Sequence, residues 1–241
     1  MRKGSTQLPR WLIIRGMFPQ RIAVTLTGDL KAKYRTLWEG VVMHPFIVEM
    51  GDGTLPESSF RRYFVQDYAV VGDIVAIVAQ GMAKAPDFEA AAVLNRFMTG
   101  ILNPENEIFL EAFRGFQATP EELAAKFPIT EAFGDFLGRT GLEGSFADIA
   151  TVLYVTEGTY LDWAVRLMKA KKRPKNKAYQ AWIDIHGPDV LGEVVGYLGS
   201  YLDVKLANEH RANVDRLFRK SLRYEYRFFE AAYAGEQWHD E

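Results

Sequence analysis

Three carboxylic acids stand on sequence stripes that are otherwise apolar. Hydrophobic residues recur at steps of three and four through Phe60, Tyr63, Phe64, Val70, Val71, Ile74 and Val78, and Asp67 falls on that stripe. A second stripe runs Ile149, Leu153, Tyr160, Ala164, Leu167, and Glu157 shares its face between Leu153 and Tyr160. A third runs Leu217, Phe218, Ser221, Leu222, Phe228, Phe229, Ala232, with Glu225 in its middle. An ionised carboxylate among apolar groups is costly unless it is paired or hydrogen-bonded, and otherwise its pKa rises until it takes a proton. Either state suits acid–base chemistry or the grip of a polar ligand. The neighbours Tyr63, Tyr68, Tyr154, Tyr160, Tyr224 and Phe228 would suit a flat heteroaromatic ligand. Beside this stands a structural reading, in which the acids are buried ion-pair partners and the aromatics are core.

Other chemistry is thinly represented. His44 precedes Pro45-Phe46 at a helix break, and His186 ends the segment Trp182–His186. Glu236-Gln237-Trp238-His239 has the E-x-x-H spacing of di-iron carboxylate proteins, but once only and near the end of the chain. No metal site is expected from it. There is no G-x-S-x-G, P-loop or G-x-G-x-x-G pattern. The chain has no cysteine, which excludes disulfides, thiolate metal sites and a cysteine nucleophile.

The elements that must position these acids read as helices from Leu30 onward, with no convincing period-two segment. Thr54 three residues before Glu57, Thr119-Pro120-Glu121-Glu122 and Ser145 are start signals. Gly141, Gly144 and Gly187-Pro188 are stop signals. Helices are expected over about residues 30–43, 56–83, 86–101, 104–116, 120–127, 130–139, 146–171, 176–186, 188–200 and 204–234. Short connections and the lack of a linker or repeat point to one helical domain over residues 30–241, preceded by an N-terminal extension over residues 1–29.

Composition narrows the partners. A formal net charge of -2 gives no electrostatic case for nucleic-acid binding. The basic run Lys169–Lys177 lacks interleaved aromatics and reads as a polar connection. No apolar run is expected to span a membrane; Gly72 and Asp73 interrupt the most apolar stretch, Val70–Ala79. The absence of cysteine fits a reducing cytoplasm. Residues 1–28 carry Arg2, Lys3, Arg10, Arg15 and Arg21 and no acid, the composition of an organelle transit segment or of a solvated extension.

Several segments together resemble the TenA/thiaminase II (TENA/THI-4) family. They are His44-Pro45-Phe46, Gly51-Asp52-Gly53-Thr54-Leu55-Pro56, Phe60-x-x-Tyr63-x-x-Gln66-Asp67-Tyr68, Tyr179-x-x-Trp182-Ile183-x-x-His186-Gly187, and Tyr224-Glu225-Tyr226-Arg227-Phe228-Phe229 with Ala232-Tyr233 after it. The resemblance covers about residues 34–238. It implies an all-α, haem-oxygenase-like bundle without haem, a homo-oligomer (tetramer or dimer), and no metal or organic cofactor. The implied activity is hydrolysis at the aminomethyl carbon of a 4-amino-2-methylpyrimidine, giving hydroxymethylpyrimidine for thiamin salvage. By motif match, Asp67 holds the amino and ring-nitrogen edge, Glu225 transfers protons and Phe228 packs on the ring. Tyr63, Tyr160, His186 and Phe46 are the further candidates for substrate binding.

The departures define a branch. Val155 stands where the cysteine-bearing branch places its nucleophile, Val70 replaces a tyrosine three residues after Asp67, and His186 replaces a tyrosine before Gly187. The chain therefore resembles the cysteine-less branch, in which a glutamate takes the place of the thiol. Glu157 and Glu225 are then the expected catalytic pair, one protonated and one ionised, acting on an aminomethyl- or formylaminomethyl-pyrimidine. The alternatives are a non-catalytic, pyrimidine-binding regulatory protein of the same family and oxidative chemistry on the same fold.

Overall fold

The computed structural model describes residues 25–206 and 210–238 of the 241-residue chain. They form twelve α-helices, and no strand occurs among the described residues. The helices are α1 Leu26–Lys33, α2 Arg35–Val42, α3 Pro45–Asp52, α4 Glu57–Ala83, α5 Phe88–Gly100, α6 Asn106–Phe116, α7 Pro120–Ala124, α8 Pro128–Glu143, α9 Phe146–Lys169, α10 Lys177–Ile185, α11 Pro188–Ser200 and α12 Arg211–Ala234. Single π turns, Ile101–Glu105 and Tyr201–Lys205, come directly after α5 and α11. The all-α, single-domain expectation holds.

Local chemistry accounts for most helix ends. Thr119 and Glu122 cap each other's backbone N–H groups at α7, and Ser145 and Asp148 do the same at α9. Other ends correct the sequence reading. The expected helix over 30–43 breaks at Tyr34, whose φ of -105° and ψ of 25° leave the helical region. His44 is no mere turn residue: it caps α3, accepting from the Phe46 N–H through Nδ1 while Nε2 lies 3.0 Å from Glu230. Helix α3 has no counterpart among the expected helices. Gly53 ends it at a φ of 72°, which favours glycine. Thr54 does not cap α4, which begins after Pro56; its hydroxyl turns back to the Glu49 carbonyl. Gly141 lies inside α8, facing Ile77 of α4.

Helices α4, α9 and α12 each pack on the other two, and α5, α8 and α11 close around them. Trp163, Trp182, Phe46, Phe60, Phe64 and Phe229 are fully buried between them. The 27-residue α4 contains an 18-residue stretch with a mean hydropathy of 1.2, long and apolar enough by length and composition alone to cross a bilayer, so the expectation that no segment would meet that test is corrected. Here α4 is instead the central helix, packed on α5, α8 and α12. Residues 1–24 of the expected extension and His239 of the E-x-x-H run lie outside the described residues, and α1 begins at Leu26, before the expected boundary at residue 30.

Candidate active site

Asp67 comes from the middle of α4, Glu157 from α9 and Glu225 from α12. The mutual packing of these three helices brings all three acids onto the wall of one cleft. Phe97, Phe133, Tyr160 and Phe228 supply aromatic surface, and Val70, Val71, Ile74 and Ile101 supply aliphatic surface. No lysine or arginine lines it among the described residues.

The acids are therefore unpaired and close together, and each is pushed toward its protonated form. Burial raises Asp67 well above the ordinary carboxylate range, with the charges of Glu105 and Glu157 adding to the effect; the Tyr63 and Tyr160 hydroxyls pull the other way. Burial likewise raises Glu225, which is 2% exposed, and the charges of Glu157 and Asp67 raise it further. Glu157 is pushed up to about 8 by burial and by Glu105, partly offset by the Thr156 hydroxyl 3.1 Å from its carboxyl. None of the three takes part in an ion pair among the described residues. The reading of these acids as buried ion-pair partners is thereby set aside. Carboxyls that share protons around one cavity form a proton-transfer device.

His186, at the C-terminus of α10, lines the same cleft. Its Nδ1 lies 2.7 Å from the Trp182 carbonyl, which only an N–H can donate to, so Nε2 is left as an acceptor. Burial pushes its pKa down to about 4, keeping the ring neutral. Tyr160 and Phe228 line the cleft. Tyr63 stands behind the lining, its hydroxyl 2.6 Å from that of Tyr160. Phe46 corrects the sequence reading: it is fully buried and packs on Tyr63 at 4.7 Å between ring centroids, outside the lining. Tyr68, Tyr154 and Tyr224 also face elsewhere, against Phe109, Phe218 and Phe133 respectively. Val155 is wholly buried away from the cleft; on this turn of α9, Thr156 and Glu157 reach it.

Sequence reasoning missed Glu105. It ends the π turn after α5 and lines the cleft as a fourth acid, its pKa raised by burial to about 7. Phe97 and Phe133 were also missed, being ordinary members of apolar runs.

Known proteins share this architecture and part of this sequence. An aminopyrimidine aminohydrolase of Halalkalibacterium halodurans is 24% identical over 220 residues, covering 89% of this chain and 98% of its own. Another, of Bacillus subtilis, is 29% identical over 208 residues, covering 84% and 87%. Among solved structures, a TenA homologue from P. horikoshii OT3 superposes with a TM-score of 0.78 at 23% identity, covering 88% of this chain and all of that one. A Shewanella denitrificans OS217 domain with a haem-oxygenase-like fold gives 0.66 at 15% identity, covering 86% and 92%; both likenesses speak to fold alone. The profile of the TENA/THI-4/PQQC family matches residues 31–235, most of the described helices and every acid of the cleft, and the chain belongs to that family.

Proposed function

We propose that this chain is an aminopyrimidine aminohydrolase of thiamin salvage, converting an aminomethyl-substituted 4-amino-2-methylpyrimidine and water into hydroxymethylpyrimidine and ammonia. The observation that carries this reading is the convergence of Asp67, Glu157 and Glu225, from three helices, on one aromatic-walled cleft without a cation. The hydrolase names of the two relatives support the same reaction.

Asp67 takes the amine edge of the ring: its carboxyl accepts from the exocyclic N–H and shares a proton with the adjacent ring nitrogen. Phe228 and Phe133 supply surface for the ring, and His186 supplies a neutral acceptor. Of the pair Glu157 and Glu225, the protonated member keeps a proton on the amine nitrogen so that it departs as neutral ammonia. The ionised member takes a proton from water, whose oxygen bonds to the methylene carbon as the carbon–nitrogen bond breaks. General acid–base assistance of this kind is worth about 10²–10⁴-fold. Thr156 and Glu157, rather than Val155, occupy the face of α9 where a nucleophile would stand.

The regulatory alternative is not favoured, because the acids needed for turnover are all present and the relatives are named as hydrolases. We also assign a homo-oligomer, tetramer or dimer, and a cytoplasmic location; light scattering on the purified chain and fractionation of the native cell test these. The activity is tested by incubating the protein with 4-amino-5-aminomethyl-2-methylpyrimidine and measuring ammonia and hydroxymethylpyrimidine. Equimolar release of both is expected. Tight binding of the pyrimidine with no ammonia would return the protein to the regulatory class.

A further inference from the structure

A second cleft opens beside the first. The two share Phe97, Ile101, Glu105, Glu157 and His186, whereas Asp67 and Glu225 line only the first. Glu105 and Glu157 thus stand at the boundary between a ring-sized pocket and an outer space. A pyrimidine held through Asp67 in the first pocket has this boundary as the side where a substituent can extend.

The outer space has a definite chemistry. Val93, Ile185, Val190 and Val194 give it apolar surface. Its charged groups are Glu105, Glu157, Asp189, Glu193 and Arg96. Arg96 is already engaged, with two bonds of 2.9 and 2.6 Å to the Glu193 carboxylate. No donor among the described residues bonds the Glu105 carboxyl. Its placement by a π turn through Pro104 is also unusual, because such turns re-aim side chains and occur often at functional sites. At the boundary itself neither Glu105 nor Glu157 has an ion-pair partner among the described residues, and the one arginine of the outer space is taken by Glu193, so a cation arriving there meets unpaired carboxyls.

We propose that Glu105 is the anionic seat of the leaving group, selecting substrates whose methylene bears a basic, protonated amine, with any alkyl substituent on that amine lying in the outer cleft. This rests on the aminohydrolase reading above and names its substrate class: primary and N-alkylated aminomethyl-pyrimidines in preference to neutral N-acyl compounds. The seat holds the nitrogen by a charge-assisted hydrogen bond until it leaves as the free amine. The pKa of Glu105, about 7, keeps a fraction ionised at neutral pH, and a bound ammonium enlarges that fraction.

The experiment compares kcat/KM for aminomethyl-, N-methylaminomethyl- and formylaminomethyl-4-amino-2-methylpyrimidine in the wild type and in Glu105→Gln, with the inhibition constant of hydroxymethylpyrimidine as a measure of ring binding. The wild type should favour both amines over the formyl compound by about tenfold or more, and Glu105→Gln should lose about 10- to 100-fold more on the amines than on the formyl compound. Equal losses on all three substrates would overturn the role of Glu105 and leave the aminohydrolase reading intact. A wild type that prefers the formyl compound would do the same, and this arm stands even if the variant does not fold. A wild type that hydrolyses none of the three would overturn both.

Discussion

The hydroxyl oxygens of Tyr63 and Tyr160 lie 2.6 Å apart, a hydrogen bond that ties α4 to α9 inside the core. Asp67 is one turn beyond Tyr63, and Glu157 is one turn before Tyr160. The bond therefore fixes the spacing between Asp67 and Glu157, the acids proposed to hold the ring and to act at its methylene carbon. Burial raises the pKa of both tyrosines well above the ordinary value, so each stays a neutral donor throughout the working pH range.

Tyr160→Phe should consequently cost stability and alignment together. It leaves the buried Tyr63 hydroxyl without its phenolic partner, worth about 1–3 kcal/mol. For a chain of this size that is roughly 2–10 °C in Tm. Turnover should fall by roughly 3–10-fold, because the helices remain but their spacing loosens. Calorimetry and steady-state kinetics on one preparation check this; an unchanged Tm would show that the bond contributes nothing.

Asp67→Asn keeps the shape of the ring-binding edge but cannot share a proton with the ring nitrogen. A charge-assisted bond of about 1.5–3 kcal/mol becomes a neutral one of about 1 kcal/mol. KM for the aminopyrimidine should rise roughly tenfold, with the larger part of the effect in binding. A titration with the product, which involves no chemistry, gives the same number independently. Unaltered affinity would remove Asp67 from ring recognition.

Stability should fall as the pH rises from about 5 to 9. Glu105 and Glu157 titrate near 7 and 8 in the fold, while an unfolded glutamate titrates near its ordinary value of 4.5. Protonated carboxyls are thus favoured by folding, and their contribution is lost as the pH passes their folded values. Allowing for water in the cleft, the loss is on the order of 3 kcal/mol, or roughly 6–12 °C in Tm. His186, pushed down to about 4, acts on the other limb, losing stability as the pH falls below its ordinary value of 6.5. A Tm maximum near pH 5–6 is expected, and the double variant Glu105→Gln/Glu157→Gln should flatten the alkaline side.

The acids were legible in the sequence because burial makes a carboxylate conspicuous in an apolar stripe; Asp67, Glu157 and Glu225 all point where the helical period places them. Glu105 was not, because that period fails locally. A π turn inserts one extra residue, rotating the downstream side chains by about 100°. Pro104 reads as a helix boundary, yet the wider turn carries the chain from α5 into α6 without a gap. Phe46 was misplaced because α3 was not foreseen, and without it the ring's packing on Tyr63 could not be inferred. The break at Tyr34 has no glycine or proline to announce it; it is set by tertiary packing, with the Tyr34 hydroxyl on Asp215 of α12.

Metal removal should leave turnover unchanged. Among the described residues no cluster of three or more His, Asp or Glu side chains is placed to hold a metal ion. His44 is engaged by Glu230 and the Phe46 N–H, and the Nδ1 of His186 by a carbonyl. Dialysis against a chelator and then an ammonia assay with and without added divalent ions checks this, and a drop that metal restores would refute it.

Glu157→Gln separates a catalytic acid from a structural one. Val155 is buried elsewhere, and the Thr156 hydroxyl is held by the Leu153 carbonyl and Glu157 itself, so this turn of α9 has no other group that can exchange a proton near neutrality. Glutamine keeps the size and a hydrogen-bonding edge but cannot transfer the proton. Turnover should fall by at least about 10²-fold with ring affinity nearly intact, because the lost interaction belongs to the transition state. The stability effect has the opposite sign from that of an ion-pair partner. An acid pushed up to about 8 by burial and a like charge is a strain on the fold wherever it ionises. A neutral replacement should therefore hold or raise Tm at pH 8–9, and it should remove the limb of the pH–rate profile near pH 8. Loss of Tm with retained turnover of the folded fraction would assign Glu157 to structure and leave Glu225 as the proton-transfer group.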